Sequence, residues 1–332
     1  MEDMFFISII VPVYNAERFI EGCIESLLAL DYPKGSFEII AVDNGSTDRS
    51  AELIKKYPVT YVIEKIKGPS AARNSGAKIA RGSILAFTDA DVIVGKNWLL
   101  EIKNSLLDQS IAGVMGLRLG INKNVWADLF QKYYEIFIGQ RRSEGKMISR
   151  IDSANFAMRK KVFDDFKGFN PEFLSSEDQE LGIRLFEYGE KIIFNEKMTV
   201  SHVNAVSLDQ IINARREQSF YEYKIAYDRD DVFIEKHFPM LLKARYRLIF
   251  IEKGKVENCV LRFTGLFVYR ILRIVVAFLR FLKAIGLKRG LNGLFLFAIG
   301  LSIYHGKILS RCVERKYLTI SKKFKDDIFK YG

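Results

Sequence analysis

The stretch Ser83-Ile84-Leu85-Ala86-Phe87-Thr88-Asp89-Ala90-Asp91-Val92 decides how this chain is read. Its apolar run ends abruptly in two carboxylates, as a buried strand does when its C-terminal tip reaches the crevice where open α/β sheets bind ligands. With only Ala90 between them, Asp89 and Asp91 can bring their oxygens to one hard cation. Carboxylate oxygens suit Mg2+ or Mn2+, ions that usually keep waters and bridge substrate phosphates. A D-x-D pair alone is more often a solvated loop, so the flanking segments decide.

On the N-terminal side, Ser8 to Val13 is a β-branched run that stops at a turn, followed by a helical pattern through Ile20, Cys23, Ile24, Leu27 and Leu28. Phe37 to Val42 reads as a second strand. It ends in Asp43-Asn44-Gly45-Ser46-Thr47-Asp48, before a helix through Leu53 and Ile54. A third strand, Val59 to Ile63, leads to Gly68-Pro69-Ser70 and an alanine-rich helix. Strand and helix alternating at short intervals predict an α/β fold, a mostly parallel sheet with helices on both faces. Each polar cluster falls at the C-terminal end of a strand, where one ligand can touch all of them. Asp43 is suited to accept from a base or ribose, Ser46 or Thr47 to cap a helix, and Arg73 and Asn74 to meet a nucleobase or phosphate. Singly these residues are turn formers, caps and surface charges; together, at successive strand ends, they predict a nucleotide site.

The chain has 332 residues, 49% of them apolar, enough for one large domain or two. Cys23, Cys259 and Cys312 are odd in number and far apart, which argues against a disulfide framework or a Cys-based metal site. Phe5 to Val13 is too short and wrongly flanked for a signal peptide and is read as the first strand. The net charge of +11 is uneven: from Leu241 onward 20 Lys and Arg face 5 Asp and Glu, so the basic character belongs to the tail. A tail both basic and rich in Leu, Ile and Phe points to an anionic membrane surface and away from nucleic acid.

Val11-Pro12-Val13-Tyr14-Asn15, Val42-Asp43-Asn44-Gly45-Ser46-Thr47-Asp48, Ala72-Arg73-Asn74-Ser75-Gly76 and Thr88-Asp89-Ala90-Asp91 together resemble the ordered signature of the family 2 glycosyltransferases, which have the Rossmann-like GT-A fold. The resemblance covers residues 7 to about 225. It implies inverting sugar transfer from a nucleotide sugar, with residues 1–100 as the donor-binding half and 101–225 as the acceptor-binding half. Carried over, Pro12, Tyr14 and Asn15 line the nucleotide-sugar site and Asp43 binds base or ribose. Arg73 holds the nucleotide, Asp89 the ribose or donor sugar with Ala90 beside it, and Asp91 the metal on the diphosphate. Asn44 stands where a second Asp is common in that motif.

Further along, Val114 to Leu119 suggests a strand and Trp126 to Ile138 an aromatic-rich helix. The segments Asp152 to Lys160 and Phe166 to Pro171 resemble the part of the family that lines donor sugar and acceptor, with Asn155 at the matching polar position. Ser175 and Ser176 are good N-caps, which would put Glu177 and Asp178 in a first helical turn where the macrodipole keeps a carboxylate ionised. The resemblance assigns Asp178 the role of general base for the acceptor hydroxyl, with Glu177 orienting it. His202, which comes after a strand expected at Ile192 to Phe194, either joins Asp91 on the metal, as the resemblance implies, or is a structural histidine bonded to backbone. The processive motif Q-x-x-R-W is absent, since Gln210 is followed by Ile-Ile-Asn-Ala, which favours single additions; Arg215 or Arg216 remains available for phosphate.

In the last region, 226–332, Arg262, Arg270, Arg273 and Arg280 fall within about 80° on a helical wheel, opposite Leu266, Phe267, Ile274, Val275 and Phe278. Such a cationic amphipathic helix lies in the headgroup layer. The uncharged stretch Gly290 to Gly306 is short for a span and is read as interfacial or re-entrant. The expectation is a metal-dependent inverting glycosyltransferase at the cytoplasmic face of a membrane, acting on a lipid-linked or envelope glycan, with homo-oligomerisation left open. Two other classes compete. A sugar nucleotidyltransferase would carry an early Gly-rich phosphate loop, which Ser8 to Asn15 lacks, and a catalytically silent membrane adaptor would not need Asp43, Asp89, Asp91 and Asp178 together.

Overall fold

In the computed structural model the described residues are 5–122, 124–139, 147–204, 207–226, 271, 274–279, 295 and 297–298. The chain divides into two compact units, residues 1–122 with 134–204, and residues 123–133 with 205–332.

The first unit is built on an eight-stranded sheet. Its N-terminal part comprises β1 (Ile7–Val13), β2 (Phe37–Asp43), β3 (Thr60–Ile63) and β4 (Ile84–Thr88), and these pair in parallel in the order β3-β2-β1-β4. The helices α1 (Ile20–Leu28), α2 (Ser50–Ile54) and α3 (Pro69–Ile79) make the crossovers that parallel pairing requires. The β1 and β4 strands are buried nearly throughout, as expected of parallel strands covered on both faces. Alternation still sorts the core: Ile7, Ile9, Val11 and Val13 pack with α1, α2 and α4 (Trp98–Ser105), whereas Ile10 packs with α3 on the other face.

The sheet continues through β7 (Asn155–Arg159), antiparallel to β4, then β6 (Ile111–Gly120) and β8 (Lys191–His202), so the expected donor and acceptor halves share one sheet. Two helices, α6 (Lys160–Asp165) and α7 (Glu177–Glu187), cover the α3 face through Phe163, Leu181 and Leu185. The final strand, β5 (Val92–Val94), leaves β4 after only three residues and pairs antiparallel with the end of β8. Between Gly116 and Leu117, β6 slips register against β8. A Cβ on Gly116 would lie 2.0 Å from the Met198 carbonyl oxygen, so only glycine allows so close an approach. Two expectations are corrected here. His202 does not follow a separate strand at Ile192 to Phe194 but ends that same strand, β8. The helix after Asp43 starts at Ser50, whose N–H is capped by Asp48 Oδ1 at 3.0 Å; Ser46 and Thr47 lie too early to cap it.

In the second unit, Trp126 and Leu129, from the start of α5 (Val125–Gly139), pack with Leu208, Ile211 and Ile212 of α8 (Leu208–Ala226) and with Leu279 and Phe295. Arg215, a candidate for phosphate, is buried, 3.7 Å from Glu222, with its guanidinium over the Tyr133 ring. Most of the expected amphipathic stretch and nearly all of Gly290 to Gly306 lie outside the described residues. Within them, Ile274, Phe278 and Phe297 are exposed, and no helix is long and apolar enough to cross a membrane.

Candidate active site

The β4 tip, α3 and the N-terminus of α7 are joined through Arg73, which bridges Asp89 and Glu177. Because Val92 pairs with His202, the imidazole is drawn beside the acidic turn: His202 Nε2 lies 3.5 Å from Asp91 Oδ1, and the Val203 N–H donates to the Asp91 carbonyl at 3.3 Å. One donor atom each from Asp89, Asp91 and His202 lies within 4.8 Å of the others. Burial and the Asp89 charge raise the Asp91 pKa, while burial and the Arg118 cation lower that of His202. A neutral imidazole is the form that ligates a metal. Two carboxylates with an imidazole fit a divalent cation, and the nitrogen suits Mn2+ better than Mg2+. Asp89, expected at the ribose or donor sugar, thus also stands in the possible ligand set, and Ala90 between the acids is buried.

At the β1 and β2 tips the motif residues hold one another. Asp43 is 5% exposed; Oδ1 accepts the Ser46 N–H at 2.9 Å and Oδ2 the Tyr61 hydroxyl at 2.9 Å. The expected nucleotide ligand is therefore also the brace of its own turn. Asn15, in the left-handed region at φ 50°, accepts the Thr47 N–H at 2.8 Å and donates its own N–H to Ser46 Oγ at 3.1 Å, which ties the first motif to the second. Pro12 is half-buried inside β1, and Tyr14 is exposed. Asn44 donates through Nδ2 to the Glu64 and Ile66 carbonyls at 3.1 and 2.7 Å and accepts the Gly68 N–H at 2.7 Å. Only an amide offers both polarities, so an aspartate could not make these bonds.

Arg73, expected to present a fork to the nucleotide, is instead 4% exposed and spent on two acids, Asp89 at 2.7 Å and Glu177 at 2.6 Å. Burial opposes its charge, but Asp89 and Glu177 outweigh it and hold the guanidinium firmly protonated. One cation thus joins the D-x-D turn to the start of α7. Glu177 is occupied by Arg73, and Asp178 accepts the Ser153 N–H at 3.1 Å and the Gln179 N–H at 2.7 Å. The helix does begin after Ser176, but that residue is left-handed at φ 60° and makes no side-chain capping bond. Nor does the macrodipole decide the ionisation of Asp178. Burial, helped by the charges of Glu177 and Asp152, pushes its pKa up to about 7.

Asn155 is fully buried and committed to the fold: Oδ1 accepts the Trp98 Nε1–H at 2.8 Å, and Nδ2 donates to the Leu117 and Met198 carbonyls at 3.0 and 2.9 Å. It joins α4, β6 and β8. Arg118, Asp152 and Tyr134 were not picked out from the sequence, although an arginine breaking the apolar run Val114 to Leu119 was a readable signal. Arg118 Nε lies 3.2 Å from Asp152 Oδ2, and its guanidinium sits over the Tyr134 ring at 4.5 Å.

Residues 8–166 match the family model described as glycosyl transferase family 2. That segment is a family 2 glycosyltransferase domain. Of its curated relatives, the poly(ribitol-phosphate) beta-glucosyltransferase of Bacillus spizizenii is 40% identical over 123 residues, 35% of this chain and 19% of the relative. The dolichyl N-acetyl-alpha-D-glucosaminyl phosphate 3-beta-D-2,3-diacetamido-2,3-dideoxy-beta-D-glucuronosyltransferase of Methanococcus voltae is 26% identical over 229 residues, 63% and 70% of the two chains. The chain spans half or less of the length of the first relatives it matches. The fold of this chain is that of the mannosyltransferase PcManGT from Pyrobaculum calidifontis, solved with GDP-Man and Mn2+, at a TM-score of 0.67, 16% identity and coverage of 93% and 88%. The architecture is GT-A.

Proposed function

We propose that this protein is an inverting, metal-assisted glycosyltransferase that moves a sugar from a nucleotide diphosphate donor to a lipid-linked or cell-envelope glycan, one unit at a time. The observation that carries the reading is Arg73, which couples the D-x-D turn on the donor side to Glu177, the neighbour of Asp178 on the acceptor side. The acceptor hydroxyl attacks the anomeric carbon from the face opposite the diphosphate and gives its proton to Asp178. The new C–O bond forms as the bond to the diphosphate breaks, inverting the anomeric centre. A base with a pKa near 7 is deprotonated in a useful fraction at neutral pH yet still basic enough to take the proton. Asp89, Asp91 and His202 would hold Mn2+ or Mg2+, which when bound supplies charge neutralisation for the departing diphosphate. Asp43, Asn15, Pro12 and Tyr14, at the β1 and β2 tips, face the nucleoside end.

The envelope acceptor is supported by the relatives, whose names specify poly(ribitol-phosphate) and a dolichyl-phosphate-linked sugar. Work at the cytoplasmic face of an anionic membrane is supported by the basic tail and by the exposed Ile274 and Phe278, one helical turn apart. The test is a panel of nucleotide sugars with the full-length protein, with and without Mn2+ and a membrane lipid extract, scored by released nucleoside diphosphate and by labelled sugar in the lipid fraction. Transfer is expected with Mn2+ and lipid. It is lost in Asp178→Asn and in Asp91→Asn, the latter also losing metal-dependent nucleotide binding. Transfer retained in either variant removes that residue's role, and pyrophosphate release from a nucleoside triphosphate and a sugar phosphate would mark a nucleotidyltransferase instead.

A further inference from the structure

Asp178 does not stand alone at the head of α7. The segment before β7 is laced to that helix: the Ser153 N–H donates to Asp178 Oδ2 at 3.1 Å, Arg150 Nε donates to Gln179 Oε1 at 2.6 Å, and Gln179 Nε2 donates to the Ile151 carbonyl. What shapes that segment is Asp152. Its Oδ1 accepts the Ala154 N–H at 3.1 Å, its carbonyl accepts the Asn155 N–H at 3.0 Å, and its Oδ2 accepts the Tyr134 hydroxyl at 3.3 Å. Oδ2 is also 3.2 Å from Arg118 Nε, on a strand far earlier in the chain, and the guanidinium stacks over the Tyr134 ring. Arg118 and Asp152 are both largely buried, with side chains 16% and 18% exposed, so neither charge is well screened by water.

We propose that Asp152, clamped by Arg118 and Tyr134, is the positioning residue for Asp178, with Arg118 as the cation that keeps Asp152 charged and in place beside it. This rests on the base role given to Asp178 above. Asp152 shapes the turn that delivers the Ser153 N–H, and so aims one carboxylate with another. The two acids repel, and the repulsion is bearable because Arg118 compensates the first of them. The charged groups facing Asp178 are Glu177 on its own helix, Asp152 on the segment before β7 and Arg73 from α3; burial, Glu177 and Asp152 raise its pKa, while the Ser153 N–H and Arg73 lower it.

This arrangement has a signature that a purely structural role lacks. Removing Asp152's charge takes a repulsive neighbour from Asp178 and moves its titration to lower pH. Removing Arg118's charge takes an attractive cation from beside the two acids and moves the titration to higher pH. The full-length protein, labelled with 13C-aspartate and with the Asp178 resonance assigned by its loss in Asp178→Asn, is titrated by NMR as wild type, Asp152→Asn, Arg118→Met and Arg118→Lys; transfer rates are measured over the same pH range. Asp152→Asn is expected to shift the midpoint down and Arg118→Met up, each changing the ionised fraction below the midpoint on the order of threefold. Arg118→Lys keeps the charge and stays near wild type, which guards against misfolding in Arg118→Met. The double variant Asp152→Asn with Arg118→Met falls between the two single variants, because the lost repulsion and the lost attraction offset one another. Shifts of the same sign in the two single variants, or no shift, overturn the proposal. A titration that moves as expected while the acid limb of the rate profile stays fixed leaves the network standing and removes Asp178 as the base.

Discussion

Replacing Asp178 with asparagine should make the protein inactive and, above neutral pH, more stable. The folded-state pKa is pushed from 3.8 up to about 7, three powers of ten in proton affinity. At roughly 1.4 kcal/mol per power of ten, keeping this carboxylate ionised in the native state costs about 4 kcal/mol. The sign follows from the raised pKa: the native state binds the proton more tightly than the unfolded chain, so stability is fully present below about pH 4 and is lost as pH rises to about 7. Asparagine escapes that loss. It retains one oxygen to accept from Ser153 or Gln179, but its NH2 replaces the other acceptor and leaves one of those N–H groups unpaired, about 1–3 kcal/mol. The net expected at pH 8 is therefore a gain of about 1–3 kcal/mol, or a melting point higher by about 3–10 °C for a unit of this size. Thermal melts of wild type and Asp178→Asn at pH 8, 5.5 and 4, followed by circular dichroism, should show an advantage that shrinks on acidification and vanishes or reverses at pH 4. A variant that melts below wild type at pH 8, or an advantage that does not change with pH, would refute the account of a base kept strained by burial.

Two other substitutions separate architecture from chemistry. Asn155→Leu strands the Trp98 N–H and two strand carbonyls, so it should cost about 3 kcal/mol or more in stability while metal-dependent nucleotide affinity per folded molecule stays at the wild-type value. Asn44→Asp would set a carboxylate against the Glu64 and Ile66 carbonyls, loosening residues 64–68 by about 1–3 kcal/mol; hydrogen exchange should show faster amides there and at Gly68, with the rest of the sheet unchanged.

The parallel half of the sheet was legible because each strand carries its signal locally: a short apolar run that ends in polar residues, then a helical period. The tips of those runs are the tips of β1, β2 and β4, and the two acids quoted after β4 lie together with His202. What was not legible depends on partners distant in the chain. Asn155 looks like a polar residue on a ligand-lining segment, and nothing local reveals that Trp98 and two carbonyls surround it. Arg73 reads as an exposed fork until two acids from different elements close on it. The ionisation of Asp178 was misjudged for the same reason, since a helix terminus is visible in sequence and burial is not. The capping hydroxyls failed differently: Ser46 and Thr47 have the right chemistry but lie before the helix starts at Ser50, and they bond Asn15 instead.

The pairing of β5 with the end of β8 has a consequence for how the protein is made. Asp89 and Asp91 leave the ribosome long before His202, and the imidazole reaches them only when the last strand of the sheet docks at its edge. Closing so long a loop is slow compared with forming neighbouring hairpins and helices. A nascent chain that has emerged only through β7 already has its central strands but lacks the third donor for a cation. Completion of this cluster of two carboxylates and an imidazole therefore coincides with completion of the sheet.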